Sequence, residues 1–421
     1  MNYIALTIGP IYKTLANAKK PKELFASSYI FSYIMKNIIK EFKDRKFITP
    51  YIKDDTIFDE SDVGLFHDRF IFASQSGDLE KLSQVIDTVI EDIAKNLDIE
   101  PKSIKEYLQI NYDEYELDES KNPILALTPY LDTKELMFSI SQDDSFAKAL
   151  RRKKGDDDNF LTKGKNIIHN LEKLTYHNYY CIVHVDGDNM SKAIEDQNNI
   201  ENVSKNLFEY CKSSNKLIKE FGGQTIFAGG DDLLFFAPVV GKDGLTIFNL
   251  CDKISQDFDD KLTPATLSFG ITINYIKFPL YEALQNSREQ LFSKAKNKQK
   301  NNIAFKVTKH SGQSFETIIH KGNSEVYTKF LDFVSNITND KNDSNFLHSI
   351  HHKIDTNKKI IENIKHSKDR LKNFFDNYFN ETGHSEYKEF FNTLIEFIYS
   401  SQDLDTVYAT LRFIKFVKGD K

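Results

Sequence analysis

Two apolar runs, Gln224–Phe227 and Leu233–Pro238, are separated by only Ala228-Gly229-Gly230-Asp231-Asp232. Glycine reaches positive φ at no steric cost, so this stretch predicts two antiparallel strands closed by a tight hairpin. The neighbourhood of the hairpin is patterned as well. A strand reads at Tyr179–Val185, a helix at about Ile200–Phe221, a second helix at about Leu245–Leu262 and a strand at Thr266–Tyr275. The order is βαββαβ, the ferredoxin-like arrangement, in which the first and third strands lie side by side at the centre of the sheet. A helix at about Tyr281–Asn297 and a strand at Ile303–Thr308 extend the unit.

That topology brings Asp186, which directly follows the first strand, to the same sheet edge as Asp231 and Asp232. Three carboxylates so close repel one another unless a cation sits among them, and Mg²⁺ or Mn²⁺ is the simplest resolution because such ions take oxygen ligands and complete their shell with water and phosphate. A pair of ions roughly 3.5–4 Å apart stabilises both the attacking and the leaving oxygen of a phosphoryl displacement. Taken alone, Gly-Gly-Asp-Asp is a turn and Asp186 a helix N-cap. Their convergence in one topology supplies the chemical reading, a metal-dependent nucleotide-polymerising palm with Asp186, Asp231 and Asp232 as catalytic residues.

Before this unit, Tyr3–Ile8, Arg69–Ala73 and Leu136–Ile140 read as strands, and Glu23–Phe42 and Leu79–Leu97 as helices. A charge-dense stretch containing Asp156-Asp157-Asp158 reads as an exposed connector. After Ser324 helical periodicity dominates. The expected organisation is α+β: an N-terminal palm-like domain at 1–145, a charged connector at 146–175, a catalytic palm at 176–315 and a C-terminal all-α domain at 322–421.

A net charge of −6 excludes a protein that coats nucleic acid by bulk electrostatics. Basic clusters are local, at Arg151-Arg152-Lys153-Lys154 and at Lys294, Lys296, Lys298 and Lys300, and on composition alone each is a solvated face. Cys181, Cys211 and Cys251 are too scattered for a zinc knuckle or a disulfide framework. No apolar run approaches the ~20 residues of a membrane helix, and no signal pattern opens the chain, so a cytoplasmic protein is expected. His348, His351 and His352 have helix-face spacing but no companion ligands, and read as a polar helix surface.

The runs Val185-Asp186-Gly187-Asp188-Asn189-Met190, Ala228-Gly229-Gly230-Asp231-Asp232-Leu233-Leu234 and Leu267-Ser268-Phe269-Gly270-Ile271, with Ala295-Lys296 and Lys300-Asn301, resemble the palm shared by diguanylate cyclases and the large subunit of type III CRISPR effectors. Gly-Gly-Asp-Asp points to the CRISPR branch. Ile8-Gly9-Pro10-Ile11, the stretch from Leu24 to Ser32, Phe66-His67-Asp68-Arg69-Phe70 and the last helix are similar to the type III-B form. The resemblance implies an enzyme that joins ATP into cyclic oligoadenylate, with Mg²⁺ or Mn²⁺ as cofactor and guide RNA, target RNA and other effector subunits as partners. It also implies metal ligation by Asp186, Asp231 and the Gly187 carbonyl with Asp232 assisting, and nucleotide contacts from Asp188, Asn189, Gly229, Gly230, Ser268, Lys296 and Lys300, and from Ser27 and Ser28 toward a second nucleotide. Because the sequence opens at a palm-like strand, a preceding histidine-aspartate nuclease is not expected, and His67-Asp68 lacks the partner histidines to supply one. With Gly9-Pro10 where the second palm has Asp186, the first palm is expected to be inert. Two alternatives stay open: a free-standing, homodimeric cyclase making a cyclic dinucleotide, and a non-catalytic nucleotide-binding scaffold.

Overall fold

The structure is a computed structural model that describes residues 1–16, 18–59, 61, 63–136, 143–151, 171–297, 299–335, 344–378, 387–401 and 403–419. The N-terminal region runs β1 (Asn2–Gly9), α1 (Ile11–Ala16), α2 (Pro21–Lys40), β2 (Phe47–Thr49), β3 (Arg69–Ala73), α3 (Asp78–Leu97), α4 (Pro101–Tyr107), β4 (Gln109–Glu116), α5 (Pro123–Leu136) and α6 (Ser145–Arg151). Its sheet order is β2-β3-β1-β4. The central strand β1 is apolar at nearly every position because both its faces are covered. Ile4, Leu6 and Ile8 pack with α2 and α3, while Tyr3 and Ala5 pack with Leu127 and Leu131 of α5.

The second region runs β5 (Tyr179–Asp188), α7 (Met190–Ala193), α8 (Ile200–Phe221), β6 (Gln224–Gly229), β7 (Asp232–Pro238), α9 (Ile247–Leu262), β8 (Thr266–Tyr275), α10 (Leu280–Glu289), β9 (Asn302–Thr308) and β10 (Ser314–His320). Its sheet order is β10-β9-β8-β5-β7-β6. The four strands β8-β5-β7-β6 reproduce the ferredoxin-like order, with β5 flanked by antiparallel β7 and β8. Val185 lies opposite Leu233, so the end of β5 sits beside the start of β7, where the two acidic motifs were expected to meet.

The C-terminal helices are α11 (Ser324–Ser335), α12 (Ser344–Thr356), α13 (Lys358–Ile364), α14 (Lys368–Tyr378), α15 (Lys388–Ser401) and α16 (Leu404–Val417). They do not form a separate core. Phe248 of α9 meets Phe305 of β9, Phe330 of α11 and Phe413 of α16 edge-on, with ring centroids 4.9, 5.0 and 4.8 Å away. Each such pair adds ~0.5–1.5 kcal/mol beyond the area it buries.

The expected boundaries need three corrections. Residues 146–151 are not connector: Phe146, Ala147, Ala149 and Leu150 of α6 are buried in the N-terminal core, residues 152–170, with Arg152, Lys153, Lys154 and Asp156-Asp157-Asp158, lie outside the described residues, and Leu171–Leu174 form a helical turn with Leu174 buried. Leu136 ends a helix rather than opening a strand, and 137–140 lie outside the described residues. A palm boundary at 315 cuts through β10, which pairs with β9 along its whole length.

Candidate functional site

Asp186, Gly187 and Asp188 are the last residues of β5, and strand alternation sends the side chains of Asp186 and Asp188 to one face. Asp188 is fully buried. Its carboxylate accepts hydrogen bonds from Ser268 Oγ of β8 at 2.6 Å and from the Asn301 backbone N–H at 2.9 Å. Asn301 makes this contact from the left-handed region, at φ 64°. Asp188 thus pins the end of β5 to β8 and to the start of β9. Fully buried Ser268 is engaged in the same pin, so neither of these expected nucleotide contacts faces a ligand.

Gly187 lets the hairpin approach. A Cβ there would lie 2.3 Å from Asp231 Oδ2 and 2.7 Å from Asp231 Cβ, so the Asp231 carboxylate rests directly on the glycine. Gly230 turns the chain at φ +67°, a conformation glycine adopts without strain. From behind, the thiol of Cys211 on α8 donates to the Gly230 carbonyl at 3.3 Å. Asp232 then opens β7, paired with Gly229.

The helix after β8 completes the site. Beyond α10 it widens into a π turn over Gln290–Ala295, and its end carries Lys296 over β5. The Lys296 ammonium forms an ion pair with Asp186, donates to the Gly187 carbonyl at 2.7 Å and lies 3.7 Å from Asp188 Oδ1.

The carboxyls on the hairpin are perturbed. Burial, followed by the charge of Asp186, pushes Asp231 up to about 6, with Lys296 pulling the other way. Asp232 is raised well above the usual carboxylate range by surrounding protein and then by Asp231, Asp186 and Asp68. Asp232 is exposed to solvent on its other side, and the carboxylates of Asp231, Asp186 and Asp68 repel its charge. Such displaced acids mark a place that favours positive charge.

Among the described residues no group of three or more His, Cys, Asp or Glu side chains is arranged to hold a metal ion as it stands. The Lys296 ammonium sits on two oxygen donors that an ion would use, the Asp186 carboxylate and the Gly187 carbonyl. The donor chemistry nevertheless fits a hard divalent cation: carboxylates of Asp186 and Asp231 and the carbonyl of Gly187, already satisfied in part by an internal cation.

The remaining expected residues divide clearly. Gly229 and Gly230 form the hairpin, and Asn189, at φ 61°, begins α7. Lys300 is exposed, and Lys298 lies outside the described residues. Ser27 and Ser28 are 1% and 3% exposed inside α2, because that helix is covered along most of its circumference. The histidine trio is likewise no metal site. His351 stacks on Tyr408, His352 contacts Thr356, and the His348 side chain lies outside the described residues. Cys211 was not anticipated as a support of the hairpin, and nothing short of the fold places it there.

Two palm-like domains of one topology, the second with an acidic hairpin under a lysine, define a paired-palm protein. Residues 179–304 match the family described as Cas10/Cmr2, second palm domain, and residues 3–104 match the family described as CRISPR-associated protein Cmr2, N-terminal. The chain belongs to the Cas10/Cmr2 family. It is similar to the CRISPR system Cmr subunit Cmr2 of Pyrococcus furiosus, with 25% identity over 334 residues covering 67% of this chain and 36% of that protein. It therefore spans about a third of that relative's length. In fold it is similar to a crystal structure of a Csm1-Csm4 cassette in complex with cA4, with a TM-score of 0.52 and 11% identity, covering 97% of this chain and 69% of that one. Among the described residues no helix is long and apolar enough to cross a membrane.

Proposed function

We propose that the chain is a nucleotidyltransferase that converts ATP into cyclic oligoadenylate as the large subunit of a type III CRISPR effector, with guide and target RNA as partners. The observation that carries this reading is the seating of the Asp231 carboxylate on Gly187 beside Asp186, with the Lys296 ammonium on the Asp186 carboxylate and the Gly187 carbonyl. Likeness in fold to a Csm1-Csm4 cassette in complex with cA4 supports it.

Asp186, Asp231 and the Gly187 carbonyl would hold Mg²⁺ or Mn²⁺, with Asp232 assisting, and the ion would supply charge stabilisation for phosphoryl transfer. The reaction joins the 3′-oxygen of one ATP to the α-phosphorus of another. The bond to pyrophosphate breaks, and the hydroxyl proton leaves to solvent. The Asp188–Ser268–Asn301 pin keeps the end of β5 rigid, and Lys296 is placed to bear on phosphate when released from Asp186.

The test supplies ATP and Mg²⁺ or Mn²⁺ to the chain, alone and assembled with effector subunits, guide RNA and target RNA, and reads products by mass spectrometry. Cyclic oligoadenylate, lost when Asp231 and Asp232 are both changed to Ala while assembly persists, is the expected result. No oligoadenylate under any of these conditions overturns the reading.

A further inference from the structure

The segment leading into β3, which carries His67 and Asp68, leaves its own domain and lies along β6, the outermost strand of the other sheet. Gly64 forms a parallel bridge with Phe227, and the Ala228 N–H donates to the Gly64 carbonyl at 3.1 Å. Contact continues past the end of the strand onto the hairpin itself. A Cβ at Gly229 would lie 3.3 Å from His67 Cα, and one at Gly230 would lie 3.9 Å from His67 Cδ2. The hairpin backbone is thus held between His67 on one side and the Cys211 thiol on the other.

His67 is itself fixed. Its Nδ1 accepts from the Arg69 backbone N–H at 3.3 Å, which leaves the ring proton on Nε2 to donate to Thr49 Oγ1 at 3.2 Å. Burial, then the charge of Arg69, keeps the ring neutral. Upstream, the Phe66 N–H donates to Ser32 Oγ of α2 at 2.9 Å, and Gly64 sits so near Ser32 that a Cβ would approach its Cβ to 2.8 Å.

We propose that residues 63–68 form a positioning strap by which the first palm-like domain sets the geometry of the acidic hairpin, with His67 the positioning residue. The strap makes that domain a working part of the site, and its effect on turnover rests on the nucleotidyltransferase reading above. A merely protective cover for an edge strand would need only the Gly64–Phe227 bridge, and His67 lies beyond it.

Hydrogen exchange on the full chain tests the strap without reference to activity. In His67→Ala, amides in peptides spanning 227–233 exchange about tenfold faster while the C-terminal helices stay unchanged. His67→Gln, which keeps a donor and an acceptor, restores most of the protection. Thr49→Val, which removes one hydrogen bond away from the hairpin, gives a smaller rise and decides the matter if His67→Ala does not fold. In the assembled complex, kcat for ATP falls about tenfold with KM within about threefold. Hairpin exchange equal to wild type in both His67→Ala and Thr49→Val overturns the strap. A wild-type protein that makes no product sinks the nucleotidyltransferase reading instead, and exchange still decides this one.

Discussion

The two palm-like domains share one plan, β2-β3-β1-β4 in the first and β6-β7-β5-β8 in the second, yet their corresponding edges do different things. In the second, the strands at the hairpin are joined by a turn so tight that Asp231 rests on the end of the central strand. In the first, the chain between β2 and β3 opens from Pro50 to Asp68, and β1 ends at Gly9 before Pro10, beside a cleft of ≈ 380 Å³ lined by Asp68, Gln109, Asn111 and Glu135. The plan provides a meeting point for two strand ends. Whether chemistry occurs there depends on the link between the second and third strands and on what the first strand ends with.

The sharpest way to break this contrast is to remove the carboxylates. Asp231→Ala with Asp232→Ala should lower product formation by roughly 10³-fold or more, because the developing charge loses its metal-ion support. The measurement is initial rate in the assembled complex, and activity within tenfold of wild type would refute the assignment.

A matched glycine pair comes next. Gly187→Ala places a Cβ against Asp231, so activity should fall about a hundredfold. Gly9→Ala, whose nearest neighbour is Gln109 Oε1 at 3.8 Å, should leave stability within about 0.5 kcal/mol. Equal effects at the two positions would erase the difference drawn between the domains.

Stability should also report the site. Lys296→Met leaves Asp186 without its partner, and since both side chains keep some solvent contact the loss should be about 1–3 kcal/mol by denaturant titration. Millimolar Mg²⁺ or Mn²⁺ should recover part of it if the oxygen atoms are metal ligands.

The smallest effect is in pH. Asp231 has its pKa raised from 3.8 to about 6, so between about pH 4 and 6 the native state binds more protons than the unfolded chain. Stability therefore declines as pH rises through that window and stays lowered above it. Asp231→Asn should remove this part of the decline, raising stability at pH 7 by roughly 1–2 kcal/mol with little change at pH 4. Identical pH profiles for the two proteins would show the carboxyl to be unperturbed.

The second palm was the more legible domain because its strands are buried and its helices are long. The bounds Ile200–Phe221 and Thr266–Tyr275 stand as read. Strands β4 and β10 escaped notice because Gln109–Glu116 and Ser314–His320 lie at sheet edges, where half-exposed polar residues blur the apolar alternation. The meeting of Asp186 with Asp231 followed from topology alone. The burial of Asp188, Ser27 and Ser28 did not, since it depends on tertiary packing. The same limit hid Cys211 and His67, each far in sequence from the hairpin it touches.

Phe248 touches the sheet and the C-terminal helices with one ring. In mechanical terms that layer is a load path: force applied to α16 reaches the sheet through the ring of Phe248. The acidic hairpin joins β6 and β7 of the same sheet, so the frame that bears on Phe248 is also the frame on which the hairpin is mounted.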